Sequence, residues 1–198
     1  MPLRVHDTRR REKVDFSTMN PGHVNMYVCG VTVYDLCHLG HARCYLAFDL
    51  IHRWLEKLGY DVNYVQNFTD IDDKIINRAN ETGEDWRKLV EDNIATYYRD
   101  MDALNILRAD HYPRCTEYVE KMIEITQDLI EKGNAYSADD GVYFSVDSAP
   151  EKYGLLTGQS IDAVRSGAGG RVEGTGSGKR DHKDFALWKV AKPGEPTW

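Results

Sequence analysis

The sequence predicts an α/β chain built on a doubly wound parallel sheet, with an inserted region of helices and a β-hairpin. Three observations predict it. An apolar, β-rich run, Met26-Tyr27-Val28-Cys29-Gly30-Val31, is followed by a helical stripe of Ala47, Leu50, Ile51, Trp54, Leu55 and Leu58, and then by a second β-rich run, Val62 to Phe68. Strand, helix and strand in that order form the βαβ unit of a parallel sheet. Farther along, helical periods and one hairpin signal replace the alternation, which marks an insertion.

Each element has its own signal. The first run is short, apolar and interrupted by glycine near its end, as a buried strand is. The stripe that follows has helical spacing, and Gly59 supplies the stop. Thr69-Asp70-Ile71-Asp72-Asp73-Lys74 leads into a short helix that ends near Gly83. Asp70, Asp72 and Asp73 are read there as helix caps and first-turn acids favoured by the helix dipole, in preference to metal or ribose contacts. Trp86, Leu89, Val90, Ile94, Tyr97, Met101 and Leu104 line one side of a longer helix whose many acids read as a solvated face. Thr116 to Lys132 repeats the pattern with Val119, Met122, Ile123, Leu129 and Ile130, and stops at Gly133. AYSADDGVYFSV then places two β-rich arms around Asp140-Gly141, a hairpin.

The loop Ser166 to Gly178 is rich in glycine, which raises the question of phosphate binding. The sequence answers it. In the G-x-x-x-x-G-K-[ST] pattern, Gly178-Lys179 would need a glycine where Glu173 stands and a hydroxyl residue where Arg180 stands. The G-x-G-x-x-G pattern fails in every register, so the loop reads as a solvated insertion.

Composition narrows the class. With 198 residues, of which 41% are hydrophobic, the chain fits one ordinary domain or a large part of a bigger one. No apolar run approaches the ~20 residues of a membrane helix, and the opening MPLRVHDTRRREKVDF has no signal-peptide core. A soluble, cytoplasmic chain with no membrane partner is the expectation. Four cysteines, three of them in one segment, look like reduced thiols. A net charge of -7 argues against non-specific nucleic-acid binding by the whole surface and leaves room for a local basic patch.

The segment Tyr27 to Phe48 concentrates the chemistry. Cys29, Cys37, His38, His41 and Cys44 are zinc-type donors, yet the seven residues between Cys29 and Cys37 are unlike the tight pairs of structural zinc sites. Thiols packed in a core are the competing reading. His38-Leu39-Gly40-His41 falls where the first strand hands over to its helix, a position whose unpaired amides favour phosphates. Gly40 removes a side chain there, and two imidazoles on one turn can donate to phosphate oxygens as charge develops. Histidines that cap or pack under the helix fit the same spacing, which leaves both readings open. Tyr34 and Asp35 either contact a ligand or shape the turn.

Strand, H-x-G-H and helix together resemble the first signature of the class I aminoacyl-tRNA synthetases. MYVCGVTVYDLCHLGHAR with NFTDIDDKII is similar to the cysteinyl-tRNA synthetase family in particular, and the similarity continues through DALNI, the hairpin, DFALWK and PGEPTW. The resemblance implies a Rossmann-like half of a class I catalytic domain. Its chemistry would be activation of L-cysteine by ATP, with magnesium, followed by transfer to tRNA(Cys). Carried over to this chain, His38 and His41 are catalytic and, with Gly40, bind ATP. Gly30, Thr32 and Thr69 lie at the bound amino acid. Cys29 is a zinc ligand, in a site where zinc accepts the substrate thiolate and rejects a hydroxyl. Cys37 and Cys44 become packing residues, and Cys115 takes no ligand role.

The same resemblance assigns residues 1–108 to the first half of the nucleotide-binding domain and 109–198 to an inserted connective region, with the glycine-rich loop at 166–178. The family's other zinc ligands, its K-M-S-K-S-like loop and its anticodon-binding domain are not among these residues, so the chain is expected to be an incomplete portion, inactive alone. Two alternatives accompany this reading. One is the related ligase that joins cysteine to an amino sugar, against which Lys74 and the paired isoleucines of TDIDDKII favour the synthetase. The other is a truncated, non-catalytic protein that retains nucleotide or partner contacts.

Overall fold

The computed structural model describes residues 3–158 and 178–197. In chain order its principal elements are β1 (Arg4–Asp7), β2 (Glu12–Asp15), β3 (His23–Val28), α1 (Leu39–Lys57), β4 (Asp61–Gln66), α2 (Asp73–Thr82), α3 (Trp86–Ala103), α4 (Val119–Glu131), β5 (Ala135–Ala138), β6 (Gly141–Phe144) and β7 (Phe185–Lys189). They form two compact units, Ser17–Val119 and the combination of Met1–Phe16 with Glu120–Trp198. Segment 109–119, assigned from sequence to the insertion, thus packs with the first βαβ unit. Among the described residues no helix is long and apolar enough to cross a membrane.

In the unit Ser17–Val119, β3 and β4 pair in parallel from His23↔Asp61 to Val28↔Gln66, with α1 as the crossover. A third extended stretch flanks β4 on its other side: Gln66 N donates to His111 O at 3.0 Å and Phe68 N to Pro113 O at 2.9 Å. Both contacts are parallel bridges, so α2 and α3 form a second crossover. The expected α/β pattern of parallel strands and covering helices is present. Phe68 anchors its core, stacked on Tyr112 at 5.3 Å and edge-on to Tyr97 at 5.1 Å.

The helix ends follow local chemistry. Asp72 caps α2 by accepting from Lys74 N, and Gly83 ends it at φ 72° in the left-handed region that glycine tolerates. Asp85 caps α3, whose buried residues are Leu89, Val90, Ile94, Tyr97 and Met101, as the period predicts. The helix expected from Thr116 begins as a 3-10 turn, Cys115–Tyr118, and becomes α-helical only at Val119.

The face of α1 differs from the expectation. Most of its stripe points outward, with Leu50 68% and Trp54 53% exposed, and Ala47, Ile51 and Leu58 exposed as well; Leu55 alone of the stripe is buried. The buried side carries Tyr45, Asp49, His52 and Leu55. Asp49 can occupy that side because the fold supplies partners for it. Asp49 accepts from Leu107 N and from Arg53 Nε, each at 2.8 Å, and Arg53 donates to Asn105 O at 2.7 Å. A carboxylate satisfied in this way can occupy a buried position that spacing alone would give to leucine.

In the other unit, β5 and β6 form the expected hairpin, with Ala138 opposite Gly141, and β7 adds antiparallel to β6. Gly141 is needed there, since a Cβ would lie 2.2 Å from Trp188 O. Buried Asp184 ties this sheet to its flank by accepting from the Tyr136 hydroxyl at 2.6 Å and from Val146 N at 3.0 Å. β1 and β2 form an antiparallel hairpin. Of the glycine-rich loop 166–178, all but Gly178 lies outside the described residues.

The orientation of α1 is testable by denaturant unfolding of the 198-residue chain. Leu55→Ala removes a side chain that is 5% exposed and should cost about 2–5 kcal/mol. Leu50→Ala should change stability by less than about 0.5 kcal/mol. Equal losses would mean that the outward stripe is the packed face.

Candidate active site at the carboxyl ends of the parallel strands

Where β3 and β4 end, their chains continue side by side. Thr69 N donates to Val31 O at 3.0 Å and Val33 N to Thr69 O at 3.2 Å, placing Thr32 opposite Thr69. Gly30 lies so close to the neighbouring chain that a Cβ on it would fall 1.5 Å from Asn67 O. Its amide donates to Asn67 Oδ1 at 2.9 Å. The Tyr27 hydroxyl donates to the same oxygen at 2.8 Å, and Asn67 Nδ2 donates to Thr69 Oγ1 at 3.3 Å. Gly30, Thr32 and Thr69, singled out from sequence, are therefore brought together. Asn67, which connects them, was not singled out; it lies one position past β4, whose own Asp61, Asn63 and Gln66 leave another polar residue without a distinguishing signal.

Asp70 corrects the capping expectation. Only 2% exposed, it accepts from Thr116 N at 3.0 Å and from the Thr116 hydroxyl, and so fastens the end of β4 to the chain beyond His111–Arg114. Asp72 is the true cap of α2, and Asp73 is a first-turn acid. Tyr34 and Asp35, in the turn before α1, both meet α2: Lys74 stands over the Tyr34 ring at 5.2 Å, and Arg78 pairs with Asp35 at 3.7 Å.

At the start of α1, His38 is the N-cap, and its Nδ1 accepts from Gly40 N at 3.0 Å. His41 Nδ1 accepts in return from His38 N at 3.2 Å. The result is a capping box made of two imidazoles stacked 4.0 Å apart. A Cβ at Gly40 would meet His38 Cε1 at 2.7 Å, so glycine lets the ring fold back over the helix end. The tautomers follow from these bonds. A backbone N–H only donates, so each Nδ1 is unprotonated and each neutral ring carries its hydrogen on Nε2. The two readings left open by spacing are thus compatible: Nδ1 caps the helix, and Nε2–H remains a donor. Burial, and secondarily the charge of His38, lowers the His41 pKa.

The cysteines separate by environment. Cys29 is exposed at the end of β3, and the Tyr45 hydroxyl reaches its carbonyl at 3.5 Å. Burial pushes the Cys37 thiol up to about 11, consistent with packing against the core. Cys44, expected to pack, is exposed because it lies on the outward side of α1. Cys115 is part-buried; burial and then the Asp70 charge raise its pKa, while contact with Thr69 opposes the shift. Among the described residues no three His, Cys, Asp or Glu side chains converge to hold a metal. Cys29 alone does not fit a zinc centre, which takes four ligands.

Solved structures similar to this chain place its fold among the class I tRNA synthetases. The Mycobacterium tuberculosis methionyl-tRNA synthetase in complex with methionyl-adenylate aligns with TM-score 0.53 and 26% identity, over 65% of this chain and 25% of its own. The Agrobacterium radiobacter K84 leucyl enzyme in a ternary complex aligns with TM-score 0.53 and 25% identity, over 65% and 17%. The chain belongs to the tRNA synthetases class I (C) catalytic domain family, whose model matches residues 15–198. Curated relatives include a cysteine–tRNA ligase of Maridesulfovibrio salexigens, 54% identical over 99% of this chain and 40% of its own length. Another, from Pyrococcus horikoshii, is 55% identical over 100% of this chain and 41% of its own. The chain spans about two fifths of the length of these relatives.

The tautomer assignment predicts a titration. Protonating His41 adds a hydrogen to Nδ1 and breaks the bond from His38 N, so the folded ring should titrate below the ~6.5 of free histidine. The stability it contributes is complete above that value and is lost as pH falls toward the lower folded pKa. NMR titration of the His41 ring should show the depressed midpoint, with Nε2 protonated at neutral pH. A midpoint at or above the ordinary value, or an Nδ1-protonated ring, would refute the assignment.

Proposed function

We propose that this chain is the N-terminal part of the catalytic domain of a cysteine–tRNA ligase. In this reading, the complete polypeptide activates L-cysteine with ATP and transfers it to tRNA(Cys). The chemistry is attack of a cysteine carboxylate oxygen on the α-phosphorus of ATP, forming cysteinyl-adenylate and releasing pyrophosphate. The observation that carries it is the paired histidine cap at the start of α1, in which both rings accept backbone amides on Nδ1 and the cap makes no use of Nε2. His38 and His41 are the catalytic pair, meeting triphosphate oxygens whose charge redistributes in the transition state. The lowered His41 pKa favours this use, because the ring stays neutral at pH 7 and keeps both its cap and its donor.

ATP, as its magnesium complex, lies against His38, Gly40 and His41, and the amino acid against Gly30, Thr32 and Thr69. The choice of cysteine rests on the names of the relatives, which are cysteine–tRNA ligases along this chain's whole length. Cys29 would be one ligand to a zinc ion only in the complete polypeptide, where further ligands would be needed; when bound, such an ion would supply a thiol-selective contact.

Cysteine-dependent exchange of labelled pyrophosphate into ATP tests the reading. The complete polypeptide should catalyse it, and the 198-residue chain alone should not. In the complete polypeptide, His41→Ala should lower the adenylation rate about 10²–10³-fold with little change in KM for cysteine, as removal of a transition-state donor does. Parallel loss of rate and cysteine affinity would make the histidine structural. Charging of tRNA(Cys) separates the synthetase from a ligase that uses an amino sugar, and transfer to the sugar in place of tRNA would overturn the assignment.

A further inference from the structure

Asn67 stands where β4 leaves the sheet and touches both strand ends that frame the candidate substrate site. Its side-chain oxygen accepts from Gly30 N at 2.9 Å and from the Tyr27 hydroxyl at 2.8 Å. Because the Gly30 amide can only donate, the atom facing it must be oxygen, which fixes the orientation of the Asn67 amide. Nδ2 is thereby turned to Thr69 Oγ1, to which it donates at 3.3 Å. The backbone of the same residue fills the space over Gly30, so the two chains cannot drift together or exchange partners without breaking this set.

We infer that Asn67 is a positioning residue for the amino-acid substrate, holding the Gly30 backbone and the Thr69 hydroxyl in one fixed relation across the gap between β3 and β4. The inference rests on the reading above, which places the amino acid at Gly30, Thr32 and Thr69. Asparagine suits the task better than its neighbours in chemistry. Aspartate would supply the oxygen for Gly30 and Tyr27 but no hydrogen for Thr69. Leucine would supply neither, leaving the Gly30 amide unpaired at a part-buried position. With one lone pair of Thr69 Oγ1 occupied by Nδ2, its remaining hydrogen-bonding directions are restricted. The histidine cap on α1 is built from different atoms and does not involve Asn67.

That separation makes the role testable by comparing the two substrates. In the complete polypeptide, Asn67→Ala should raise the KM for cysteine about ten-fold or more, the size expected when one or two hydrogen bonds that orient a binding group are lost. The KM for ATP should stay within about two-fold. A merely structural residue would instead reduce the active fraction, lowering kcat with both KM values unchanged. Asn67→Asp, which keeps the shape and both acceptor contacts, should show a smaller rise in cysteine KM. It should also keep the Gly30 amide protected from hydrogen exchange in the 198-residue chain, where Asn67→Ala exposes it. In a Thr69→Val background the effect of Asn67→Ala should be less than additive.

An unchanged cysteine KM in an active Asn67→Ala enzyme, or an equal rise for ATP, overturns the positioning role while leaving the proposed function standing. Absence of cysteine-dependent exchange in the parent polypeptide overturns that function, and the substrate role of Asn67 with it, before any variant is compared.

Discussion

The close approach of two strand ends is the constraint on which the site depends. Gly30 meets the Asn67 backbone where any side chain would collide, and the chains run on in register to Thr32 and Thr69. Parallel pairing alone does not require this contact, since β3 and β4 are complete by Val28 and Gln66. The extension beyond them is held by side chains: Asn67 on one flank, and on the other Asp70, buried and bound to Thr116. A glycine with no room for a side chain and an aspartate only 2% exposed thus hold one narrow ledge of backbone and hydroxyl groups in fixed register.

The start of α1 solves a second problem by the same economy of atoms. A helix N-terminus leaves unpaired amides, and a serine or aspartate cap would satisfy them at the cost of an acceptor or a negative charge at the helix end. Histidine caps differently. One ring nitrogen accepts from the backbone, and the other keeps a hydrogen that can be donated outward. Burial, and then the neighbouring His38, disfavours protonation of His41, which would also break its bond from His38 N. The arrangement therefore favours hydrogen-bond donation by that ring over ion pairing.

Much of this was legible in the sequence, and what was not has a common cause. The βαβ order, the stops at Gly59 and Gly83, the α3 core and the hairpin around Asp140-Gly141 all arise from local chemistry, so they can be read locally. The α1 stripe gave the helix but not its buried side, because Asp49 owes its burial to Leu107 N, 58 positions away in the chain. Asp70 looked like a neighbour of the α2 cap, and only the fold brings Thr116 to it. For Asp49 and Asp70 a polar group found a distant partner, which spacing cannot reveal. Cys44, a packing residue by the family resemblance, lies on the exposed side of α1. His38, Gly40 and His41 were visible as a motif, yet the division of labour between Nδ1 and Nε2 follows only from which backbone amides the rings meet.

The four thiols show how environment assigns roles that composition leaves equal. Metal ligation and nucleophilic chemistry need the thiolate, so a cysteine kept protonated contributes packing alone. Burial holds Cys37 far above neutrality and raises Cys115 as well, with nearby carboxylates adding to both shifts. Cys44 is free of the core but sits on the outward side of α1, among apolar side chains rather than at the strand ends. Cys29 combines solvent access with a place beside Gly30 at the end of β3. Its carbonyl is reached by the Tyr45 hydroxyl from the buried side of α1, so the backbone is tethered inward while the residue stays open to a ligand. β3 therefore leads into an exposed cysteine next to the glycine whose amide Asn67, one position past β4, holds in place, so exposure and register at this point come from two different strands.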